Sequence, residues 1–407
     1  MATTPRTAPV APVLARRDRV VIVGSGAAGL ALALDLAPMP VTLVTRGRLR
    51  DPGSTVWAQG GIAAALDAAD APWRHARDTI AVGSGLTDAA MAAWTAEAAP
   101  TRIASLEALG LRFDRDGEGR YMLAREGGHS CARVAHAGGD GSGAALIGTL
   151  ATAVEAAPHV EVVEHMAVDS LLLAEGRVVG VRGRSGATVS DIPGRAVALA
   201  TGGAGALYAA TTNPLSSWGS GLALGARAGA VLRDMEFVQF HPTAIDVDAD
   251  PLPLASEALR GAGARLVDGD GEPIAIPDAR ADLAPRDVIA RAIWRHRRSR
   301  GPVYLDTQRA FGAAMADLFP TVTARCRDAG LDPSLRPIPV CPAAHYHMGG
   351  LKVDTRGRTS VDGLWAVGEV ACTGLHGGNR LASNSLLEAL VVAGWSAADI
   401  KAAAVPT

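Results

Sequence analysis

Two segments near opposite ends of the chain contain residues suited to binding a phosphorylated ligand. Gly24, Gly26 and Gly29 fit the pattern G-x-G-x-x-G and follow a continuous apolar run, Val20–Val23. Such a run is typical of a strand that is buried on both faces. The glycines permit a tight turn, a close approach of the backbone to a pyrophosphate, and close packing of the helix predicted at Leu30–Leu36. We therefore predict a dinucleotide site at this strand, turn and helix.

The second segment, residues 374–388, reads Gly-Leu-His-Gly-Gly-Asn-Arg-Leu-Ala-Ser-Asn-Ser-Leu-Leu-Glu. It follows a strand-like stretch, residues 363–369, that ends in Gly-Glu. The N-terminal glycine loop and this C-terminal strand end must close on one ligand. A layout of this kind indicates a two-dinucleotide-binding flavoprotein, with FAD lying across both ends of the chain.

The end of the second predicted strand, Val41–Thr45, helps to identify the dinucleotide. An NAD site usually has an acidic residue there, which holds the ribose hydroxyls. Thr45 and Arg46 occupy this position instead. A plain NAD site is therefore disfavoured, although Arg46 leaves an NADP site open.

The composition limits the possible partners and location. The chain has 407 residues, a formal net charge of −2 and four cysteines without a C-x-x-C pair. This charge gives no indication of nucleic acid or of an anionic membrane as a partner. No apolar run is long enough to predict a spanning helix, and no secretory signal precedes the first strand. We expect residues 1–17 to be a disordered leader, the cysteines to be buried or idle thiols in a reducing compartment, and the location to be cytoplasmic.

Changes in pattern along the chain predict its organisation. The predicted fold class is α/β: an FAD-binding, Rossmann-like (two-dinucleotide-binding) domain with an inserted α+β capping domain. The FAD-binding domain is assigned to residues 18–235 and 349–407, and the capping domain, or lid, to 236–348, where Pro, Asp and Arg become more frequent. Further predictions are a glycine-rich loop near a flat cofactor at 53–66, a helix at 86–110, a β-rich insertion at 160–200, strands at 350–353 and 363–367, and a C-terminal helix from about residue 383.

Nine motifs, in this order, give the chain its resemblance to a known family. It resembles the L-aspartate oxidases, within the succinate dehydrogenase/fumarate reductase flavoprotein superfamily, over residues 18–400. The motifs are Gly-Ser-Gly-Ala-Ala-Gly at 24–29, Ala-Gln-Gly-Gly-Ile-Ala at 58–63, Arg-Glu-Gly-Gly-His-Ser at 125–130, Ala-Thr-Gly-Gly at 200–203, Gln-Phe-His-Pro-Thr at 239–243, Glu-Ala-Leu-Arg-Gly at 257–261, Ala-Pro-Arg-Asp at 284–287, Pro-Ala-Ala-His-Tyr at 342–346 and the 374–388 segment.

The resemblance implies an activity and its partners. Enzymes of this family oxidise L-aspartate to iminoaspartate with FAD, and dioxygen or fumarate then accepts the electrons. The reaction is the first step of NAD biosynthesis from aspartate, so the resemblance also implies functional coupling to quinolinate synthase. Ser54 stands where related reductases often carry a histidine that is covalently bound to FAD, so we expect non-covalent FAD here.

The resemblance also implies the residues that bind substrate and cofactor. Buried aspartate needs cationic donors for its carboxylates and an anion for its ammonium group. Arg286 is the expected catalytic arginine, with Arg260 and Glu257 as its supports, and His241 and His345 complete the catalytic set. The expected substrate contacts are Glu126, Gln239, His241, Ser256, Glu257, His345, Arg380 and Ser385. The expected FAD contacts are Gly24, Ser25, Gly26, Ala27, Ala28, Gly29, Thr45, Arg46, Ser54, Thr55, Ala58, Gln59, Gly60, Gly61, Thr201, Gly202, Gly203, Asn213, Glu369, Asn384, Ser385 and Leu386.

Taken singly, several of these residues have simpler interpretations. His241 between Phe240 and Pro242 is more often a packed histidine than a ligand-binding one. His345 with His347 resembles a metal pair, but no acidic or cysteine ligand lies near enough in sequence, so we predict no metal site. Arg286 next to Asp287 fits a helix terminus. Their occurrence together, in order, favours the functional interpretation.

Two alternatives to an aspartate oxidase remain open at the level of the sequence. The first is a fumarate reductase or succinate dehydrogenase flavoprotein. Ser54 and Glu126 argue against it, because an anion at position 126 suits an ammonium group and repels a plain dicarboxylate. The second is an FAD-binding protein with little turnover. It is suggested by a C-terminal helical domain that relatives have beyond the point where this chain stops, and by Ser220 in place of the usual aspartate.

Overall fold

The computed structural model describes residues 18–51 and 53–403, so the leader expected at residues 1–17 lies outside the described residues. Eighteen strands occur in the described part: β1 Val20–Val23, β2 Val41–Val44, β3 Ile62–Ala63, β4 Leu123–Ala124, β5 Val134–Ala135, β6 Val160–Val163, β7 Ala167–Ala174, β8 Arg177–Ser185, β9 Thr188–Pro193, β10 Ala196–Leu199, β11 Leu232–Arg233, β12 Val238–Ile245, β13 Arg265–Val267, β14 Val303–Asp306, β15 Ile338–His347, β16 Gly350–Lys352, β17 Leu364–Ala366 and β18 Ala371–Cys372.

Eleven α-helices occur in the same ranges: α1 Ala27–Asp35, α2 Pro72–Val82, α3 Ala89–Ala108, α4 Ser142–Ala156, α5 Ser220–Arg227, α6 Glu257–Gly261, α7 Arg286–Ser299, α8 Gln308–Phe311, α9 Met315–Leu318, α10 Pro320–Asp328 and α11 Asn384–Ala402. Within the part of the chain that the structure describes, no helix is long and apolar enough to span a bilayer.

A five-stranded parallel sheet forms the centre of the molecule, in the order β17-β10-β1-β2-β6. Strand β1 is buried along its whole length because α1, α4 and α11 pack on one face of the sheet, and the antiparallel sheet β7-β8-β9 packs on the other. The predicted strand, glycine turn and helix at the N-terminus are confirmed, and so is the α/β fold class.

The predicted β-rich insertion at 160–200 is correct only in its middle. Strands β6 and β10, at its two ends, pair in parallel with β2 and β1 and belong to the central sheet. Only β7-β8-β9 forms the antiparallel insertion. Hydrophobic patterns in the sequence predict where strands occur but not which strands pair, because pairing between distant strands depends on the tertiary fold.

The region predicted to be the lid contains a second sheet, antiparallel, in the order β12-β15-β14-β13. Helices α6 and α7 and the short helices α8 to α10 accompany it, and together they enclose their own apolar core, which includes Ile245, Leu259, Ile293 and Val340. A separate core is what an independent domain requires. We therefore propose residues 236–348 as the capping domain.

Candidate active site

A cavity of about 820 Å³ lies at the carboxyl ends of the central strands. The residues that follow β1, β2, β10 and β17 line it, together with the 53–61 loop, part of the β12–β15 sheet and the first turn of α11. Ligands of open parallel sheets bind at this edge, where strand order reverses. The N- and C-terminal segments singled out in the sequence therefore meet at one cavity.

The glycine turn after β1 has no room for larger side chains. A Cβ on Gly24, where φ is +113°, would lie 2.2 Å from the carbonyl oxygen of Ala200. A Cβ on Gly29 would lie 1.9 Å from the carbonyl oxygen of Gly24. This packing leaves the N-terminus of α1 open to the cavity, where Gly26 caps the helix without a side-chain hydrogen bond. A helix end of this kind favours a phosphate group.

Several polar groups along this half of the cavity suit the rest of a dinucleotide. Ser25 Oγ and Thr45 Oγ1 are hydrogen-bonded at 2.8 Å. Among the described residues, the buried oxygens Thr201 Oγ1 and Gln59 Oε1 have no hydrogen-bond partner. Buried polar atoms without a partner are rare in native proteins and indicate a missing ligand or water. The arrangement fits the hydroxyl, phosphate and amide groups of FAD.

Glu369 lies at the C-terminal side of the same half. Its Oε1 accepts a hydrogen bond from the backbone nitrogen of His347 at 2.9 Å. Burial raises the pKa of Glu369 to about 7, despite this hydrogen bond and the charge of Arg380. An acceptor at this position suits the sugar hydroxyls expected there from the sequence.

Two buried arginines converge on the other half of the cavity. Arg286 Nη1 and Arg380 Nε both donate to Gln239 Oε1, at 3.1 and 3.2 Å. The Arg380 guanidinium also lies 4.9 Å from the centre of the Tyr346 ring and donates to Ser385 Oγ at 3.1 Å. Burial and the repulsion of Arg286 lower the pKa of Arg380 to about 9. A bound anion would relieve this repulsion, so the pair suits a carboxylate.

Glu257 fixes Arg286 by accepting a hydrogen bond from its Nε atom. Its Oε2 accepts from Arg286 Nε at 2.7 Å, and its Oε1 accepts from the backbone nitrogen of Gly127 at 2.8 Å. Arg260 Nη2 lies 3.6 Å from the same carboxylate. Burial alone would raise the pKa of Glu257, but the charges of Arg286 and Arg260 outweigh burial and hold it low. One carboxylate therefore serves two buried guanidinium groups, and the site keeps an excess of positive charge.

His241 and His345 face each other across the cavity wall, with ring centres 4.9 Å apart. Burial, together with the charge of Arg286, holds the pKa of each well below 6.5, so both rings are neutral. The backbone nitrogen of Thr243 donates to His241 Nδ1 at 3.2 Å, which places the proton on Nε2. That buried Nε2–H has no partner among the described residues. It is a free donor for a ligand oxygen.

A further buried carboxylate, Glu126, lines the same cavity as Arg286 and Arg380. Its Oε2 accepts from Ser383 Oγ at 2.7 Å, and His136 Nε2 lies 3.8 Å from its Oε1. Ser383 directly precedes α11 and has a left-handed backbone, with φ of +60°. Glu257 is paired with Arg286 and Arg260, so Glu126 gives the cavity an anionic position that neither arginine neutralises, and this position suits an ammonium group.

The structure brings most of the predicted residues to this cavity and leaves four behind its wall. Those that line it are Gly24, Ser25, Gly26, Ala27, Ala28, Thr45, Arg46, Ser54, Thr55, Ala58, Gln59, Gly60, Gly61, Glu126, Thr201, Gly202, Asn213, His241, Ser256, Glu257, Arg286, His345, Glu369, Arg380, Ser385 and Leu386. Gly29 packs on Gly24, and Gly203 lies against Glu369. Gln239 is enclosed by the two arginines, and the Asn384 side chain is hydrogen-bonded to His75 and Thr79.

Three residues near the predicted set were missed in the sequence. Ser383 anchors Glu126, Tyr346 lies beneath Arg380, and Thr212 Oγ1 is hydrogen-bonded to His345 Nδ1 at 2.8 Å. Ser383 and Tyr346 lie inside the motifs at residues 374–388 and 342–346, so a sequence signal for both exists. Thr212 lies far from His345 in sequence, and only the fold brings them together.

The chain matches a family model described as an FAD binding domain over residues 19–386. Among curated proteins, it is 50% identical over 389 residues to an L-aspartate oxidase of Agrobacterium fabrum, a match that covers 95% of this chain and 74% of that protein. It is also 48% identical to an L-aspartate oxidase of Streptomyces coelicolor, over 97% of this chain and 70% of the relative.

Two solved structures are similar in fold. One is quinol fumarate reductase FrdA of E. coli, with a TM-score of 0.88 and 31% identity, over 94% of this chain and 70% of the other. The other is Mycobacterium smegmatis Sdh1 with UQ1, with a TM-score of 0.79 and 32% identity, over 95% and 70% of the two chains. The geometry and the matched family agree on FAD as the cofactor.

Proposed function

We propose, because this chain belongs to the L-aspartate oxidase family, that it oxidises L-aspartate to iminoaspartate with FAD. FAD would accept the two electrons that are removed when the single bond between Cα and nitrogen is oxidised to an imine. Dioxygen or fumarate would then take up these electrons. The observation that carries the proposal is a buried carboxylate, Glu126, that lines the same cavity as the cationic pair Arg286 and Arg380. A site with the cations Arg286 and Arg380 and a carboxylate, Glu126, that forms no ion pair with either complements a dicarboxylate that carries one ammonium group.

The cationic pair binds the substrate carboxylates. Arg380 is held by Gln239, Tyr346 and Ser385, so its guanidinium is oriented before the substrate arrives. Because the site is buried, each charge-assisted hydrogen bond is stronger there than in water. The free Nε2–H of His241 adds a neutral donor.

Arg286 is the residue proposed to assist the chemical step. Glu257 fixes its Nε side, and Gln239 accepts from Nη1. An arginine rarely loses its proton, because its pKa is so high. Its fixed positive charge at the cavity stabilises negative charge that develops in the transition state. We propose that this electrostatic effect accompanies any proton that Arg286 moves.

Glu126 selects an amino dicarboxylate over a plain one. Its Oε2 accepts a hydrogen bond from Ser383, and its Oε1 lies 3.8 Å from His136 Nε2 and has no closer ion-pair partner among the described residues. An ammonium group satisfies this buried charge, whereas succinate or fumarate leaves it unpaired. An unpaired buried charge is costly, so the selection is built into the site.

The direct test is the visible spectrum of the purified yellow protein under anaerobic conditions. We expect L-aspartate to bleach the flavin absorbance, and dioxygen or fumarate to restore it. Succinate serves as the control, because it has both carboxylates and lacks the ammonium group. If aspartate leaves the spectrum unchanged while fumarate reoxidises protein reduced with dithionite, the protein is a fumarate reductase instead. Coupling to quinolinate synthase and a cytoplasmic location stay predictions.

A further inference from the structure

A buried polar network lies behind the cavity wall and takes no part in the proposed chemistry. At its centre is Arg133, whose side chain is fully buried. Arg133 donates to Asp70 Oδ2 from Nε at 2.9 Å and to Asp78 Oδ2 from Nη1 at 2.6 Å. Asp78 Oδ2 also accepts from the backbone nitrogen and the hydroxyl of Ser130, both at 2.7 Å. Such a cluster is costly unless each charge is paired, and here the two carboxylates pair the guanidinium.

One arm of this network reaches the turn before α11 through His129. Arg133 Nη1 lies 3.1 Å from His129 Nδ1, and a guanidinium can only donate, so Nδ1 accepts. The ring proton is therefore on Nε2, which donates to the carbonyl oxygen of Ala382 at 3.0 Å. Arg133 thus fixes the tautomer that this hydrogen bond requires. Burial, with the charges of His75 and Arg133, lowers the pKa of His129 to about 3, so the ring stays neutral.

A second arm reaches the first residue of α11. His75 Nε2 lies 2.7 Å from Asn384 Oδ1, and Asn384 Nδ2 donates to Thr79 Oγ1 at 3.0 Å. Thr79 in turn donates to the carbonyl oxygen of His75 at 3.0 Å. Together the two arms hold the residues on either side of Ser383.

Ser383 itself has an uncommon backbone conformation. Its φ of +60° lies in the left-handed region, which serine seldom adopts and which persists only where surrounding contacts fix it. The contacts are those from His129 to Ala382, from Asn384 to its partners, and from the backbone nitrogen of Ala63 to Ser383 O at 3.2 Å. In this conformation Ser383 Oγ donates to Glu126.

We propose that Arg133 and His129 are positioning residues that set the specificity for the substrate ammonium group. They act by holding the Ser383 turn, and the turn orients the Glu126 carboxylate. The network reaches both partners of the hydrogen bond between Ser383 and Glu126. His129 lies on the same loop as Glu126, and Ser383 lies in the turn before α11. This inference rests on the proposed function, in which Glu126 binds the ammonium group.

The test compares two variants of the FAD-loaded enzyme. His129→Leu removes the donor to Ala382 and leaves that buried carbonyl without a partner. His129→Gln keeps an N–H group near the position of Nε2. We expect His129→Leu to weaken aspartate binding about 10- to 100-fold, the effect of losing one charge-assisted hydrogen bond between Glu126 and the ammonium group. Succinate binding should weaken about threefold at most. We expect His129→Gln to restore most of the preference for aspartate.

A matched control is available in His159, whose Nε2 lies 3.0 Å from the carbonyl oxygen of Ala33, away from the cavity. His159→Leu breaks the same kind of hydrogen bond and should leave the ratio of aspartate to succinate affinity unchanged. The readouts are the KM for aspartate and the dissociation constant of succinate, the latter from the perturbation of the flavin spectrum.

The ratio of aspartate to succinate affinity separates a positioning role from general structural damage, because a loosened fold weakens the binding of both ligands. An equal loss for aspartate and succinate in His129→Leu, or no loss for either, overturns the inference while the proposed function stands. If His129→Leu cannot be obtained with FAD bound, Asp78→Asn decides in its place, since it weakens the anchor of Arg133 at constant size. A wild-type protein that aspartate neither reduces nor perturbs overturns the proposed function and this inference together.

Discussion

Glu257 Oε2 accepts a hydrogen bond from Arg286 Nε at 2.7 Å, and both side chains are buried. The two residues lie on different helices, Glu257 at the start of α6 and Arg286 at the start of α7. This contact uses the Nε side of the guanidinium, and Nη1 is directed to Gln239. Arg286 is thereby fixed at the cavity with its charge only partly compensated, since Glu257 also neutralises Arg260.

Replacing Arg286 with leucine should mainly slow the chemical step. The positive charge that we propose stabilises the transition state is lost, and the rate of flavin reduction at saturating aspartate should fall about 100- to 1,000-fold. Stopped-flow absorbance under anaerobic conditions measures this rate. Arg295→Leu, on the exposed face of the same helix, is the matched control and should reduce flavin at the wild-type rate. An Arg286→Leu enzyme as fast as wild type at saturation would refute the catalytic role.

Replacing Arg380 with leucine should mainly weaken binding. Loss of one partner leaves a buried substrate carboxylate unpaired, at a cost of about 2–5 kcal/mol. The dissociation constant of succinate, measured by flavin difference spectra, should rise accordingly, and so should the KM for aspartate. An unchanged affinity for succinate in the Arg380→Leu variant would show that Arg380 does not bind a substrate carboxylate.

Glu126→Gln should weaken the binding of aspartate far more than the binding of succinate or fumarate. Only aspartate has the ammonium group that pairs with the carboxylate, and a charge-assisted hydrogen bond is worth about 1.5–3 kcal/mol. Glutamine keeps the size of the side chain and its ability to accept from Ser383. Comparing KM for aspartate with the binding of succinate tests this point, and an equal loss for both ligands would mean that Glu126 has a structural role.

The sequence predicted much of this site because its signals are local. The strand, turn and helix at residues 20–35 follow from an apolar run and three glycines, and the start of α11 follows from the 374–388 motif. What it could not supply depends on contacts between distant residues. The shared acceptor Gln239, the turn of the Asn384 side chain towards His75, and the left-handed Ser383 all arise from tertiary packing. The pairing of β6 and β10 with the central sheet was missed for the same reason.

FAD should be released from this protein by acid. Ser54 lines the cavity at the position where related reductases often carry the histidine that is bonded to FAD. Its side chain is a hydroxyl, hydrogen-bonded to Ser217 Oγ at 3.0 Å, and it has no imidazole that could form a covalent flavin bond. Precipitation with trichloroacetic acid should leave the yellow colour in the supernatant, where its spectrum can be measured. Colour retained on the washed pellet would contradict non-covalent binding.

Glu369 should make the stability of the FAD-free protein depend on pH. Burial raises its pKa in the folded protein to about 7, above the ordinary 4.5 of the unfolded chain. Between these values the unfolded chain loses the proton while the folded protein keeps it, so the free energy of unfolding falls as pH rises. The contribution is fully present below pH 4.5 and is lost as pH rises through 7, a change of ~3 kcal/mol. Denaturant titrations at pH 5 and pH 8 measure it, with Glu369→Gln as the control for all other titrating groups. The wild-type protein should lose about 2–3 kcal/mol more than the variant over this interval, because pH 5 already lies slightly above the pKa of the unfolded chain; identical losses would mean that Glu369 ionises normally in the fold.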